Sequence, residues 1–171
     1  MGLTHDPTAD PNGLVLAKRY TSLLPLDRKN RTRLRKLNSL PRGAKLDWQV
    51  ADALTVPWYG HVYDNPPYSM PAPFLRWVAL QMAFKEHYNP ELVEVTFLLN
   101  SVLGTAYVRD WCWPFASGIC ILAPPRIAFL DASGKPVQGN DREQVAIYYG
   151  PYYERFNRTW SALGECFRVR G

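Results

Sequence analysis

His61-Val62-Tyr63-Asp64-Asn65-Pro66-Pro67-Tyr68-Ser69 is the stretch on which the reading of this chain turns. Gly60 to Tyr63 is strand-like, and the run ends in Asn-Pro-Pro-Tyr. Proline lacks a backbone donor and fixes φ, so two in succession can neither extend a strand ladder nor sit inside a helix. The backbone must therefore turn out at the strand end. That turn holds the Asn65 amide carbonyl and the Pro66 carbonyl on a stiff frame, with the Tyr68 ring beside them. Two carbonyl oxygens can accept both N–H bonds of an exocyclic amino group, and the ring can stack on a flat heterocycle.

Working outward, Leu46 to Leu54 reads as a strand running into Asp52-Ala53-Leu54, and Val56 to Tyr63 as a second strand entering the turn. Phe74 to Tyr88 has helical spacing, with Leu75, Val78, Ala79, Met82 and Ala83 on one stripe and Pro73 in the first turn. Leu92 to Leu99 is mostly apolar, as suits a central strand covered on both faces. Asn100 to Gly104 is its carboxyl-terminal loop, Tyr107 to Trp113 a short aromatic helix, and Ile119 to Ala123 and Arg126 to Leu130 are strands. The apolar flank of Arg126 suits a structural arginine. Asp131 to Lys135 reads as a turn, Gln144 to Tyr149 as a last strand, and Tyr152 to Leu163 as a helix stopped by Gly164. Tyr153, Phe156, Trp160 and Leu163 are its expected inward face. This alternation predicts an α/β sandwich with a mostly parallel sheet and an antiparallel end. In such sheets ligands sit outside the carboxyl ends of the strands, where Asp52, Asn65 and Asn100 all fall.

The first part of the chain reads differently. Residues 1–13 are polar and turn-rich, a loose arm. Asp27 is placed to cap a helix from Arg28 to Leu40, with Leu34 and Leu37 inward and Pro41 and Gly43 ending it. Residues 18–45 hold ten basic residues against one acid, Asp27, although the whole chain is only +5. Arg28, Lys29, Arg31, Arg35 and Lys36 crowd the helix. The block is either a solvated basic face or a surface for a polyanion, and such density repels itself unless anions neutralise it. The expected division is an arm and basic helix over 1–45, then an α/β region over 46–171.

A length of 171 residues suits one domain with a real core. The three cysteines have no C-x-x-C spacing and are odd in number, so they read as reduced core thiols. Three scattered histidines make no zinc pattern, and no metal is expected. No signal peptide and no apolar run of membrane-spanning length is visible, so the expected location is the cytoplasm.

Asp64-Asn65-Pro66-Pro67-Tyr68 resembles the (D/N)PPY motif of the amino-methyltransferases, which methylate adenine N6 using S-adenosylmethionine. The chain further resembles the phage-type DNA N6-adenine methyltransferases over residues 46–165. Three stretches carry this. One is Asn65 to Ser69 followed by a Trp-containing helix. Another is the strand running into Leu99-Asn100-Ser101-Val102-Leu103-Gly104-Thr105, then Trp111. The third is Pro125-Arg126-Ile127-Ala128-Phe129-Leu130 before a turn and a strand. The resemblance implies a Rossmann-like methyltransferase sandwich. It implies Asn65, Pro66, Pro67 and Tyr68 as the catalytic turn, Asp52, Asp64 and Asn100 as contacts of S-adenosylmethionine, and DNA as partner. It also implies a phage or prophage role in protection against restriction.

The sequence departs from that pattern in two respects: an acidic residue at the end of a second strand, which would hold the ribose hydroxyls, is unassigned, and the glycine-rich loop is missing. Methyltransferases normally hold the methionine end of the cofactor on a glycine-rich loop, and residues 1–46 contain Gly2, Gly13 and Gly43 with no G-x-G. Two functions therefore stand side by side. One is an active DNA adenine methyltransferase, with the basic helix on DNA phosphates. The other is a catalytically silent methyltransferase fold serving as a DNA- or protein-binding module.

Overall fold

The structure, a computed structural model, describes residues 5–7, 17, 19–22, 28–37, 47–100, 103–125, 127–128, 135–136 and 142–169. They form one eight-stranded sheet in the order β3-β2-β1-β4-β5-β7-β6-β8. The parallel part comprises β1 (His5–Asp6), β2 (Arg19–Ser22), β3 (Asp47–Val50), β4 (Gly60–Asp64) and β5 (Leu92–Asn100). β7 (Gln144–Tyr149) runs antiparallel to β5, β6 (Gly118–Leu122) antiparallel to β7, and β8 (Gly164–Arg168) antiparallel to β6. The α/β architecture with an antiparallel end is as expected.

Layering follows from the pleat. On one face Val62, Val95, Phe97, Leu99, Val145 and Ile147 meet Phe74, Leu75, Val78 and Ala79 of α2 (Ala72–Ala83), together with Val108 of α4 (Ala106–Trp111) and neighbouring Cys112. On the other face Leu98, Cys120, Ala146 and Tyr148 meet Phe156 of α5 (Tyr153–Trp160). Strands β5 and β7 are thus covered from both sides, which is why LVEVTFLLN and QVAIYY are largely apolar without alternation. Gly60 opens β4 at a register irregularity, with φ of 64°, where a side chain would strain the backbone.

At the amino end of β5 lies a polar cluster. Both Tyr148 Oη, at 2.6 Å, and an Arg155 guanidinium nitrogen donate to Glu94 Oε2. His61 Nδ1 lies 2.8 Å from Oε1. Burial alone would raise the Glu94 carboxyl, but hydrogen bonds from Tyr148, Arg155 and His61 outweigh it and hold the group below the ordinary carboxylate range. The cluster ties α5 to β4, β5 and β7.

Several expectations are corrected. His5–Asp6, expected in a loose arm, is a strand between β2 and β4, so the sheet draws strands from both sides of residue 45. The strand expected over Leu46 to Leu54 covers Asp47–Val50 and gives way to a 3-10 turn at Ala53–Thr55, and the next begins at Gly60. The helix expected through Tyr88 breaks at Phe84, and α3 (Lys85–Tyr88) follows. Gln144–Tyr149 is not the last strand, because β8 starts at the glycine expected to stop the preceding helix. Leu163, expected inward, is 44% exposed, because α5 ends at Trp160. Ile127 and Ala128 are not in a strand. Asp27, Arg126 and the 131–134 turn lie outside the described residues, as do the side chains of Leu34 and Leu37.

Candidate active site

The order of the parallel strands reverses between β1 and β4. From β1 the chain builds outward through β2 to β3, and from β4 it builds the other way to β5. In open α/β sheets such a reversal is where a ligand crevice forms, over the carboxyl ends of the two central strands. β1 ends at Asp6, followed by Pro7, and Asp6 is buried. β4 ends at Asp64, which is fully buried. The turn leaves directly from it. Asn65 is exposed, Pro66 buried, Pro67 exposed and Tyr68 half-buried. Met70 N donates to the Pro67 carbonyl at 2.9 Å and closes the turn before α2 begins.

The electrostatics join these groups. Burial first, then the neighbouring Tyr68, Asp64 and Asp6, push the Tyr63 hydroxyl far above its ordinary range. Burial likewise pushes the Tyr68 hydroxyl up to about 12, against the opposing pull of the Gln144 and Asn65 amides that face it. Both hydroxyls stay protonated at neutral pH. Asp6 and Asp64 thus stand near the Tyr63 hydroxyl, at the carboxyl ends of the two central strands.

Asn100 ends β5, one strand over from Asp64, and its Oδ1 is buried without a hydrogen-bond partner among the described residues. A buried carbonyl oxygen in that condition is an acceptor awaiting a donor. Directly opposite Asn100 is Gln144, the first residue of β7. Gln144 is fully buried. Its Oε1 accepts from Ile127 N at 2.9 Å and its Nε2 donates to Ile127 O at 3.3 Å. It thereby anchors the 127 segment while facing Tyr68. Sequence reasoning passed over both Asp6 and Gln144. The available signal for Gln144 was a lone amide opening an otherwise apolar strand.

The expected site residues divide. Asp64, Asn65, Pro66, Pro67, Tyr68 and Asn100 gather on the adjacent ends of β4 and β5. Asp52 follows β3, three strands from β4 in the sheet order. It is exposed, and its Oδ1 accepts from Leu54 N at 2.9 Å, capping the 3-10 turn. Helix α1 (Arg28–Leu37) exposes Arg28, Lys29, Arg31 and Lys36, with Arg35 half-buried. Among the described residues no three His, Cys, Asp or Glu side chains group as metal ligands, and no helix is long and apolar enough to cross a membrane.

The sheet, which reverses its order between β1 and β4, has a Rossmann-like α/β fold, and the Asn-Pro-Pro-Tyr turn leaves the carboxyl end of β4. The sequence model of the family described as DNA N-6-adenine-methyltransferase (Dam) matches residues 43–164, and the chain belongs to that family. No curated protein sequence matches it. Among solved structures it is similar to 23S rRNA methyltransferase ErmE, at 17% identity and a TM-score of 0.43, covering 94% of this chain and 69% of that one. It is also similar to Thermoplasma acidophilum 1320, at 14% identity and a TM-score of 0.42, covering 88% and 79%. A putative RNA methyltransferase from Pyrococcus horikoshii is similar at 15% identity and a TM-score of 0.39, covering 77% of this chain and 60% of its own.

Proposed function

We propose that this chain transfers a methyl group from S-adenosylmethionine to N6 of adenine in DNA. The observation that carries the proposal is the position of the motif: exposed Asn65 stands on the end of β4, at the crevice where the strand order reverses. Bound there, S-adenosylmethionine would supply an electrophilic methyl on a positively charged sulfonium. Asp64, at the end of β4, would contact the cofactor, and the Asn100 Oδ1 would offer an acceptor for an N–H of either ligand.

The chain's own residues act by position. Adenine N6 is a poor nucleophile because its lone pair is delocalised into the ring. The Asn65 and Pro66 carbonyl oxygens accept its two N–H bonds, which draws N6 toward tetrahedral geometry and frees the lone pair. Tyr68 stacks on the base, worth about 1–3 kcal/mol, and offsets part of the few kcal/mol needed to flip adenine from a duplex. Preorganised acceptors and orientation suffice for the transfer.

Helix α1 suits the DNA backbone. β2, which precedes it in the chain, and β4 both run parallel to β1. Arg28, Lys29 and Arg31 lie in the first turns of α1, and Arg35 and Lys36 follow along roughly 15 Å of helix. Asp52 would contact the cofactor's adenine from the end of β3. The biological role that fits is modification of phage or prophage DNA against restriction.

The silent-module reading is favoured by one observation, the lack of paired glycines after β1. Titration calorimetry with S-adenosylmethionine separates the two. The enzyme reading requires binding by the wild-type chain, retained in Asn65→Ala. No heat of binding in the wild type would favour the module.

A further inference from the structure

Cys120 on β6 and Cys166 on β8 are directly opposite partners. Their ladder position follows from the bonds on either side. Val169 N donates to Ser117 O at 3.0 Å, and Ala123 N donates to Leu163 O at 2.9 Å. Both bonds lie in the same register as the cysteine pair. Hydrogen-bonded and non-hydrogen-bonded pairs alternate along an antiparallel ladder. Counting inward from either bond, Ile119–Phe167 and Ile121–Glu165 fall on hydrogen-bonded positions and Cys120–Cys166 on a non-hydrogen-bonded one. There the Cα atoms stand about 4.5 Å apart and the side chains approach most closely. That separation lies inside the range of about 4.4–6.8 Å that a disulfide spans.

We propose that Cys120 and Cys166 form an oxidation site, a dithiol that closes reversibly to a cross-strand disulfide in the presence of a peroxide. The two thiols differ in access. Cys166 is half-buried, whereas Cys120 is fully buried with its Sγ–H donating to the Trp160 carbonyl at 3.6 Å. Cys166 is therefore the sulfur that meets the oxidant. Its thiolate attacks one peroxide oxygen; the S–O bond forms, the O–O bond breaks, and water leaves with a sulfenic acid on Cys166. The Cys120 sulfur then attacks that sulfur. The S–S bond forms, the S–O bond breaks, and the Cys120 proton leaves with the hydroxide as a second water. Two thiols and one peroxide give one disulfide and two waters. Burial pushes the Cys120 thiol up to about 12, which keeps it unreactive until Cys166 is oxidised beside it. Cys112 is an internal control: it lies in the core of the opposite face, within 3.3 Å of the Tyr149 hydroxyl. Closure fastens the edge strand β8 to β6 beneath α5.

The full chain is treated with hydrogen peroxide, alkylated under denaturing conditions, digested and read by mass spectrometry. The expected product is a peptide linking Cys120 to Cys166, an intact mass lower by about 2 units, and reversal by dithiothreitol. The Cys166 thiol is lost at least about tenfold faster than the Cys112 thiol. Cys166→Ser, at a half-exposed position, abolishes the link and leaves Cys120 alkylatable. Oxidation of Cys166 onward to sulfinic acid without a linked peptide would overturn the proposal. So would a linked peptide containing Cys112.

Discussion

Asn65 is the residue on which chemistry and stability separate most cleanly. It is exposed, so Asn65→Ala removes no core volume and should change unfolding free energy by less than about 0.5 kcal/mol. Transfer should fall by about 10²–10³ or more, since one of two preorganised acceptors is lost. Melting and labelled-methyl incorporation, measured together, check the pair of expectations. Pro66 is a less clean probe than its place in a turn suggested, because it is buried, and Pro66→Ala perturbs packing as well as the carbonyl frame. Gln144→Leu tests the residue that sequence reasoning missed. It leaves Ile127 N and O without their partner, at a cost of about 1–3 kcal/mol, and removes an amide from beside Tyr68. The expected result is a raised KM for DNA with an unchanged Kd for S-adenosylmethionine; equal rises in both would make Gln144 merely structural. Asn65 to Tyr68 were legible because two prolines dictate a turn wherever they occur. Gln144 was not, because its role exists only once β7 is set antiparallel beside Asn100. Asp6 was hidden in a two-residue strand, too short to show any period.

Elements were legible where they were long and periodic. Strand β5 and helix α2 gave themselves away by a continuous apolar run and by helical spacing. β8 did not, because Gly164 reads as a helix stop. In the structure it opens a strand at close quarters: a Cβ there would lie 2.1 Å from the Ile121 carbonyl oxygen. Gly164→Ala should therefore destabilise the edge strand by about 1–3 kcal/mol, seen as a lower melting temperature. The Glu94 cluster gives a pH dependence. Hydrogen bonding lowers the Glu94 carboxyl below its reference of 4.5, so its stabilisation is present above that value and is lost as pH falls through the lower folded value. Glu94→Gln should destabilise the chain at neutral pH by about 2 kcal/mol or more and flatten the acid limb of stability below pH about 4.5. An unaltered acid limb in chemical unfolding would contradict the assignment. Helix α1 is tested by salt. If its basic side chains neutralise phosphates, replacing Arg31 and Arg35 by Gln should reduce the slope of log affinity against log salt by up to about 2 units. The loss should be nearly uniform across DNA sequences.

At the scale of the whole molecule, α/β alternation is readable from residue 46 onward, and composition shifts at residue 45. The sheet ignores that shift. β1 lies between β2 and β4, and the reversal of strand order that makes the crevice depends on it. Deleting residues 1–22 should therefore abolish both cooperative unfolding and S-adenosylmethionine binding, as calorimetry would record. The composition shift marks a change of surface charge, which says nothing about sheet pairing; two-residue strands are recruited by their neighbours. The central claim is that the crevice between β1 and β4 brings a methyl donor to an amino group held at Asn65. Its most direct measurement is mass spectrometry of nucleosides from unmethylated duplex DNA incubated with S-adenosylmethionine and the purified chain. The account predicts N6-methyladenine with the wild type and at least about 10²-fold less with Asn65→Ala at equal folded concentration. N6-methyladenine in equal amounts from both, or none from a wild-type chain that binds S-adenosylmethionine and DNA, would contradict it.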